Sequence, residues 1–169
     1  TRLLTGEAEV TYFNNSPDSI RMPVFHAYHD YYKPTSKKAG FFAAPSADEK
    51  PHEGMVFDEV TINGDVIDLK DRKVVTYRGT NYQVRLKKAL APGSSMKLTF
   101  KWHYVIPGEG FERSGAIDPT SMFVAYWYPE MSVLDDIDGW DRVVYDAATE
   151  FYHDYSDSDV QITAPDNFS

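Results

Sequence analysis

The chain has no cysteine, so disulfides, thiolate metal sites and thiol nucleophiles are excluded together, and the redox compartment is left open. Long apolar runs are also missing. Hydrophobic stretches are short and broken by charge, so nothing resembles a membrane span, and no basic-then-apolar signal segment opens the chain. Basic residues are scarce in the last third: residues 116–169 hold twelve Asp or Glu against Arg142 alone, in a chain of net charge -9. Phosphate recognition needs clustered Lys and Arg, so nucleic acid is not an expected partner. An acidic surface fits cationic partners or plain solubility. Neither a Gly-x-Ser-x-Gly elbow nor a phosphate-cradling Gly loop is present.

What is present is ordinary globular material. With 169 residues, 42% of them hydrophobic and 25% charged, one β domain covering residues 1–169 is the economical expectation. The opening Thr1-Arg2-Leu3-Leu4, without Met, suggests a piece excised from a longer protein.

The dominant period is two. Met96, Leu98, Phe100, Trp102, Tyr104 and Ile106 alternate with Lys97, Thr99, Lys101 and His103, as in a strand with one buried face. Tyr82, Val84 and Leu86 alternate with polar residues, and Ala91-Pro92-Gly93-Ser94 supplies a turn, so an antiparallel pair is expected there. Val60-Thr61-Ile62 and Val66-Ile67 flank Asn63-Gly64, a dipeptide that favours the positive backbone angles of a tight hairpin. Another hairpin is expected between Ala8, Val10, Tyr12 and residues 20–28, turning at Asn14 to Asp18. Helical signal is thin: Arg142 to Tyr152, capped by Asp141, is the one candidate. Residues 30–54 read as a long polar surface loop that includes Lys37-Lys38 and the Ser46 to Lys50 run. The expected architecture is an all-β antiparallel sandwich of roughly eight strands.

Catalytic constellations fail one by one. His26 and His29 are three apart in a strand-like stretch, where that offset sends side chains to opposite faces. His52-Glu53 begins like the zinc-protease helix motif, but Val56 stands where its second His is needed. Asp135, Asp136, Asp138 and Asp141 resemble hard calcium ligands, yet a full loop would start at Leu134 and end at Tyr145, out of register. Asp154, Asp157 and Asp159 read as a polar turn. Paired acids for glycoside hydrolysis need a defined separation across a cleft, which spacing along a chain does not give. Tyr126-Trp127-Tyr128 puts three rings in a row, and on a strand these divide between the core and an exposed platform for sugar or peptide.

The order of several segments resembles the N-terminal domain of the M1 family of zinc metallopeptidases, the gluzincin aminopeptidases related to aminopeptidase N and leukotriene A4 hydrolase. They are Asn-Asn-Ser-Pro-Asp at 14–18, Val-Thr-Ile-Asn-Gly at 60–64, and the run from Tyr82 to Ser94. They continue with Phe-Lys-Trp-His-Tyr at 100–104, Trp-Tyr-Pro-Glu-Met-Ser-Val-Leu-Asp-Asp at 127–136, and Asp-Val-Gln-Ile-Thr-Ala-Pro-Asp-Asn-Phe at 159–168. The version with Gly139-Trp140 and Glu150-Phe151-Tyr152 is most similar to bacterial members, notably of Bacteroidetes. The resemblance implies a saddle-shaped β domain without catalytic residues of its own. It would pack on a downstream catalytic domain that carries the zinc, and would form one wall of the peptide-substrate cleft, in a periplasmic or cell-envelope setting. It makes Tyr126, Trp127, Tyr128, Glu130 and Met131 candidates for the cleft wall, and Pro129, Asp135, Asp136 and Trp140 structural positions. No metal or other cofactor is expected in the chain itself. In place of the Gln or Glu that many members use to hold a substrate amino group there is Ala125-Tyr126-Trp127, and Glu130 follows Pro129 where a basic residue is frequent. The alternatives are a free-standing module that binds sugar or peptide through exposed rings, and a scaffold domain of an inactive homologue.

Overall fold

The computed structural model describes residues 2–36, 53–108 and 113–166. Its strands are β1 (Leu3–Phe13), β2 (Val24–His26), β3 (Val56–Ile62), β4 (Asp65–Val66), β5 (Val75–Arg78), β6 (Asn81–Val84), β7 (Ser95–Val105), β8 (Ser114–Ala116), β9 (Met122–Val124) and β10 (Glu130–Met131), with one 3-10 turn at Tyr28–Tyr32. Every pairing between strands is antiparallel. One sheet has the order β1-β7-β3-β4, a second β10-β2-β6-β5, and β8 pairs with β9 alone. The all-β sandwich expected from the period-two pattern is the fold.

β7 is its centre. Met96, Leu98, Phe100, Trp102 and Tyr104 all face inward and are buried, while Lys97, Lys101 and His103 face solvent. The second sheet packs on that inward row through rings: Phe25 of β2 lies 5.1 Å from Phe100 and 5.7 Å from Phe57 of β3, and Tyr82 of β6 lies 5.4 Å from Phe57. Each such side chain withdrawn from water contributes about 1.5–3 kcal/mol, and the edge-to-face geometries add to that. On the wet face Glu9 pairs with Lys97 and Glu59 with Lys101, exposed pairs that fix register more than they add stability. The β3–β4 hairpin turns on Asn63 and Gly64, both at positive φ, as the dipeptide led one to expect.

Two expected hairpins do not form. β6 pairs with β5 and β2, whereas β7 pairs with β1 and β3, so the segment between β6 and β7 crosses from one sheet to the other. Leu90 bridges Ile20, and the Gly93 N–H donates to the Asn14 carbonyl. For the same reason β1 does not fold back on residues 20–28. Buried Asn14 donates to the Asp18 and Leu90 carbonyls and steers the chain into the second sheet. Alternation tells which face of a strand is buried and says nothing about its neighbour.

Other expectations are also corrected. Residues 142–152 form no helix: the Asp146 carboxylate takes the N–H groups of Ala148 and Thr149, and Ala147 sits at a φ of 71°. The stretch 20–28 is a strand only at Val24–His26, so strand alternation does not separate His26 from His29, and both are buried. Asp30, Tyr31 and Tyr32 are buried in the 3-10 turn, not displayed on a surface loop. Asp30 accepts from Lys33 Nζ at 2.7 Å, the Tyr82 hydroxyl at 2.8 Å and the Met55 N–H at 2.8 Å, tying that turn to β6 and to the residue that leads into β3. Burial pushes its carboxyl up and Lys33 opposes this. Residues 37–52, including Lys37, Lys38, the Ser46 to Lys50 run and His52, lie outside the described residues, as do 167–169.

Candidate ring-lined face

The three adjacent rings do not belong to a strand. β9 ends at Val124, Tyr126 adopts a φ of 54°, and pairing resumes only at Glu130. A left-handed residue at 126 turns the chain sharply and sends the three rings three ways. Tyr126 stacks on Phe151 at 3.7 Å. Trp127 turns inward, 6.2 Å from Trp102, and its carbonyl accepts the Trp102 indole N–H at 3.0 Å. Tyr128 projects outward, 37% exposed, with its ring edge-on to Trp127 at 5.0 Å.

The segment is pinned just beyond the rings. Pro129 is buried, and Glu130 and Met131 pair with His26 and Phe25 of β2. Met131 packs half-buried on the main core. Glu130 is also half-buried, and its carboxylate meets His153 Nδ1 at 2.8 Å. Burial raises the Glu130 carboxyl, and His153 opposes that shift.

Behind this segment lies a second apolar cluster, of Tyr28, Tyr31, Tyr32 and Tyr145, with Tyr126 and Phe151 packed against it. Phe151 is its keystone: it stands 4.6 Å edge-on to Tyr28 and is stacked 4.4 Å from Tyr145 and 3.7 Å from Tyr126. Arg113 lies over the Phe151 ring at 5.4 Å and bonds the Glu150 carboxylate at 3.2 Å. Residues 150–153 are thus held at three points, by Arg113, by the rings and by Glu130.

A buried polar chain runs beneath the rings. His26 Nδ1 lies 2.6 Å from the Asn81 side-chain oxygen, which also accepts from the Thr80 hydroxyl at 3.2 Å. The Asn81 amide donates to the Val143 carbonyl at 3.3 Å, and the Tyr145 N–H donates to the Thr80 hydroxyl at 3.1 Å. Because the Asn81 oxygen can only accept, His26 carries its proton on Nδ1. Its Nε2 faces Asp141 at 3.8 Å. Burial lowers the His26 imidazole, with Asn81 and Asp141 pulling the other way.

The acidic loop separates its members. The Asp135 carboxylate accepts the N–H groups of Asp138 at 2.8 Å and Ile137 at 3.0 Å, which lowers its carboxyl from the usual carboxylate value. Leu134 bridges Trp140, whose ring lies 5.7 Å from Tyr12. Asp136 is exposed and makes no hydrogen bond among the described residues. No group of three or more His, Asp or Glu side chains is disposed to hold a metal ion among the described residues. No helix of the described residues is long and apolar enough to cross a membrane.

Sequence reading missed Tyr28, Tyr145, Phe151, His153 and Arg113. For Tyr28, Phe151 and His153 the signal is the density of rings at 26–32 and 151–155, whereas Arg113 and Tyr145 stand outside both stretches. What joins them is a packing of segments more than a hundred residues apart, which no local period encodes. Comparison with protein-family models, curated proteins and solved structures found no match.

Proposed function

We propose that this chain is the non-catalytic N-terminal β domain of an M1-like zinc metallopeptidase, packing on a downstream zinc domain and lining one wall of its peptide cleft. The observation that carries the reading is the build of residues 126–131. The segment leaves the sheets at a left-handed residue, is anchored from below by the Trp127 carbonyl, Pro129 and the Glu130–His153 pair, and turns Tyr128 outward. A wall needs that division: a rigid back and an exposed, ring-bearing front. Zinc, peptide and the catalytic domain enter from the resemblance of the segments at 14–18, 60–64, 82–94, 100–104, 127–136 and 159–168 to that family.

In this reading the chain supplies no acid, base or nucleophile. Incubated with Zn²⁺ and aminoacyl or peptide substrates, the isolated chain hydrolyses none of them above the uncatalysed rate. The reading expects His-Glu-x-x-His and a later Glu in the region encoded after Ser169. Turnover by the isolated chain at ordinary enzyme rates, or a parent that ends at Ser169, overturns the proposal.

One observation favours a second reading, a free-standing module for sugar or peptide. Phe151 lying flat between Tyr126 and Tyr145 is an instance of this face accepting a planar ring. Ligand binding by the isolated chain that is lost on Tyr128→Ala, in a parent without a peptidase domain, selects the module.

A further inference from the structure

Residues 142–166 make no backbone-to-backbone hydrogen bond among the described residues. Within that set, side chains make every tie that holds residues 150–153. Glu150 meets Arg113 Nη2 at 3.2 and 3.5 Å, His153 Nδ1 meets Glu130 at 2.8 Å, and the Tyr152 hydroxyl reaches Asp135 at 3.5 Å. Phe151 sits among the rings of Tyr28, Tyr126 and Tyr145. The Glu150 side chain is 82% exposed and that of Arg113 42%, so water competes for this pair. A segment held in this way opens at far lower cost than a strand in a ladder.

The place that Glu150 and Phe151 fill is built by other parts of the chain. Arg113, Tyr28, Tyr126 and Tyr145 surround the Phe151 ring, and the same four side chains share a small cavity with Ser114. Ser114 is buried, and its hydroxyl makes no hydrogen bond, so the cavity has a polar group to offer to whatever enters it. Two of the walls are held against backbone preference: Arg113 has a φ of 58° and Tyr126 a φ of 54°, and the Ala125 N–H donates to the Arg113 carbonyl between them. Strain of that kind in non-glycine residues collects at binding sites. The walls read two things at once. Stacked tyrosines accept a planar ring, and the guanidinium lies over that ring while pairing with the carboxylate one residue before it.

We propose that residues 150–153 are a strap whose Glu150-Phe151 pair occupies, as a stand-in from the chain itself, a binding site for a peptide with an acidic residue followed by an aromatic one. When the strap lifts, the peptide ring enters between Tyr126 and Tyr145 and its carboxylate takes Arg113. Tyr128 lies outside this site, so the inference depends on neither functional reading above.

Calorimetric titration of the full-length protein with acetyl-Glu-Phe-amide tests this, in the native chain and in Phe151→Ala. The variant is expected to bind at least about tenfold more tightly, because the competing ring is gone and the open state no longer has to be reached first. In the Phe151→Ala background, Arg113→Gln should cost about tenfold for this probe and nothing for acetyl-Gln-Phe-amide. Glu150→Gln alters an exposed side chain and leaves the rings packed; it should raise the affinity of the native chain about threefold, and Tyr128→Ala should leave it unchanged. Equal affinities of the native chain, Phe151→Ala and Glu150→Gln, or no binding by any of them, overturn the proposal. Should Phe151→Ala fail to fold, Glu150→Gln decides alone, an affinity equal to the native one being the contrary result. Binding of acetyl-Glu-Ala-amide as tight as that of the ring-bearing probe also overturns it. So does a native chain that dimerises with concentration while Phe151→Ala stays monomeric, since the strap of a second copy is then the occupant.

Discussion

The first sheet and the last third of the chain are stabilised in different ways. β1, β7 and β3 align over long registers, so backbone bonds and one inward apolar row account for the geometry. From residue 114 onward strands are two or three residues long, and the backbone is held by side chains. Asp118, Asp135, Asp141 and Asp146 each accept backbone N–H groups two or three residues ahead. The twelve acids of this third are therefore partly architecture: a carboxylate at such a turn replaces the ladder bond that a strand would have made. Rings do the rest, with Phe151 bridging segments that share no sheet. Breaking a ladder strand should unfold the whole molecule, and breaking a ring or an aspartate turn should loosen one region.

Trp102→Ala is the largest break. The indole is buried on β7, lies where any side chain at Gly6 would have to go, and donates to the Trp127 carbonyl. A loss of about 3–5 kcal/mol is expected in denaturant unfolding, with all probes moving together. Phe151→Ala comes next, at about 1–2 kcal/mol, since the ring is only half-buried and its contacts are local. Amide exchange should quicken near Tyr145 and Tyr126 and leave β7 protected; uniform loss of protection would erase the distinction between the two regions.

Acid sharpens it further. Burial depresses the His26 imidazole below its ordinary 6.5, so the unfolded chain takes up a proton that the folded chain refuses. That contribution to stability is present above about pH 6.5 and is lost as pH falls toward the depressed folded value, by at most about 1.4 kcal/mol per pH unit. Glu130 and Asp30, raised by burial, act in the opposite sense, because the folded chain binds their protons first. The His26 share is therefore read as a difference: below pH 6.5 the stability of His26→Gln should fall less steeply than that of the native chain. Parallel profiles would mean that His26 is not held neutral. The smallest effect belongs to the acidic loop. Asp135→Ala should lower Tm by a few degrees through loss of the turn bonds to Ile137 and Asp138, and Asp136→Ala should leave it unchanged.

This contrast also explains what the sequence made legible. The all-β class, the buried face of β7 and the Asn63-Gly64 hairpin were readable because each depends on a period or dipeptide contained within one segment. The partners of β1 and β6 were not, since many registers satisfy the same alternation and the choice is made by buried side chains such as Asn14 and Leu90. At the ring-lined face, Tyr126, Trp127 and Tyr128 were visible as aromatic surface, but the division among them depends on one left-handed residue. Tyr126 is not a residue type that announces positive φ. Asp135 and Asp136 look alike in sequence, yet only Asp135 points its carboxylate back at its own loop.

The most direct measurement of the central claim is steady-state peptide hydrolysis by the full-length protein, native and Tyr128→Ala. If the outward ring lines the substrate cleft without doing chemistry, KM rises by about tenfold, equivalent to about 1.4 kcal/mol, and kcat stays within about twofold. An unchanged KM, or a full-length protein that cleaves no peptide at all, contradicts the account.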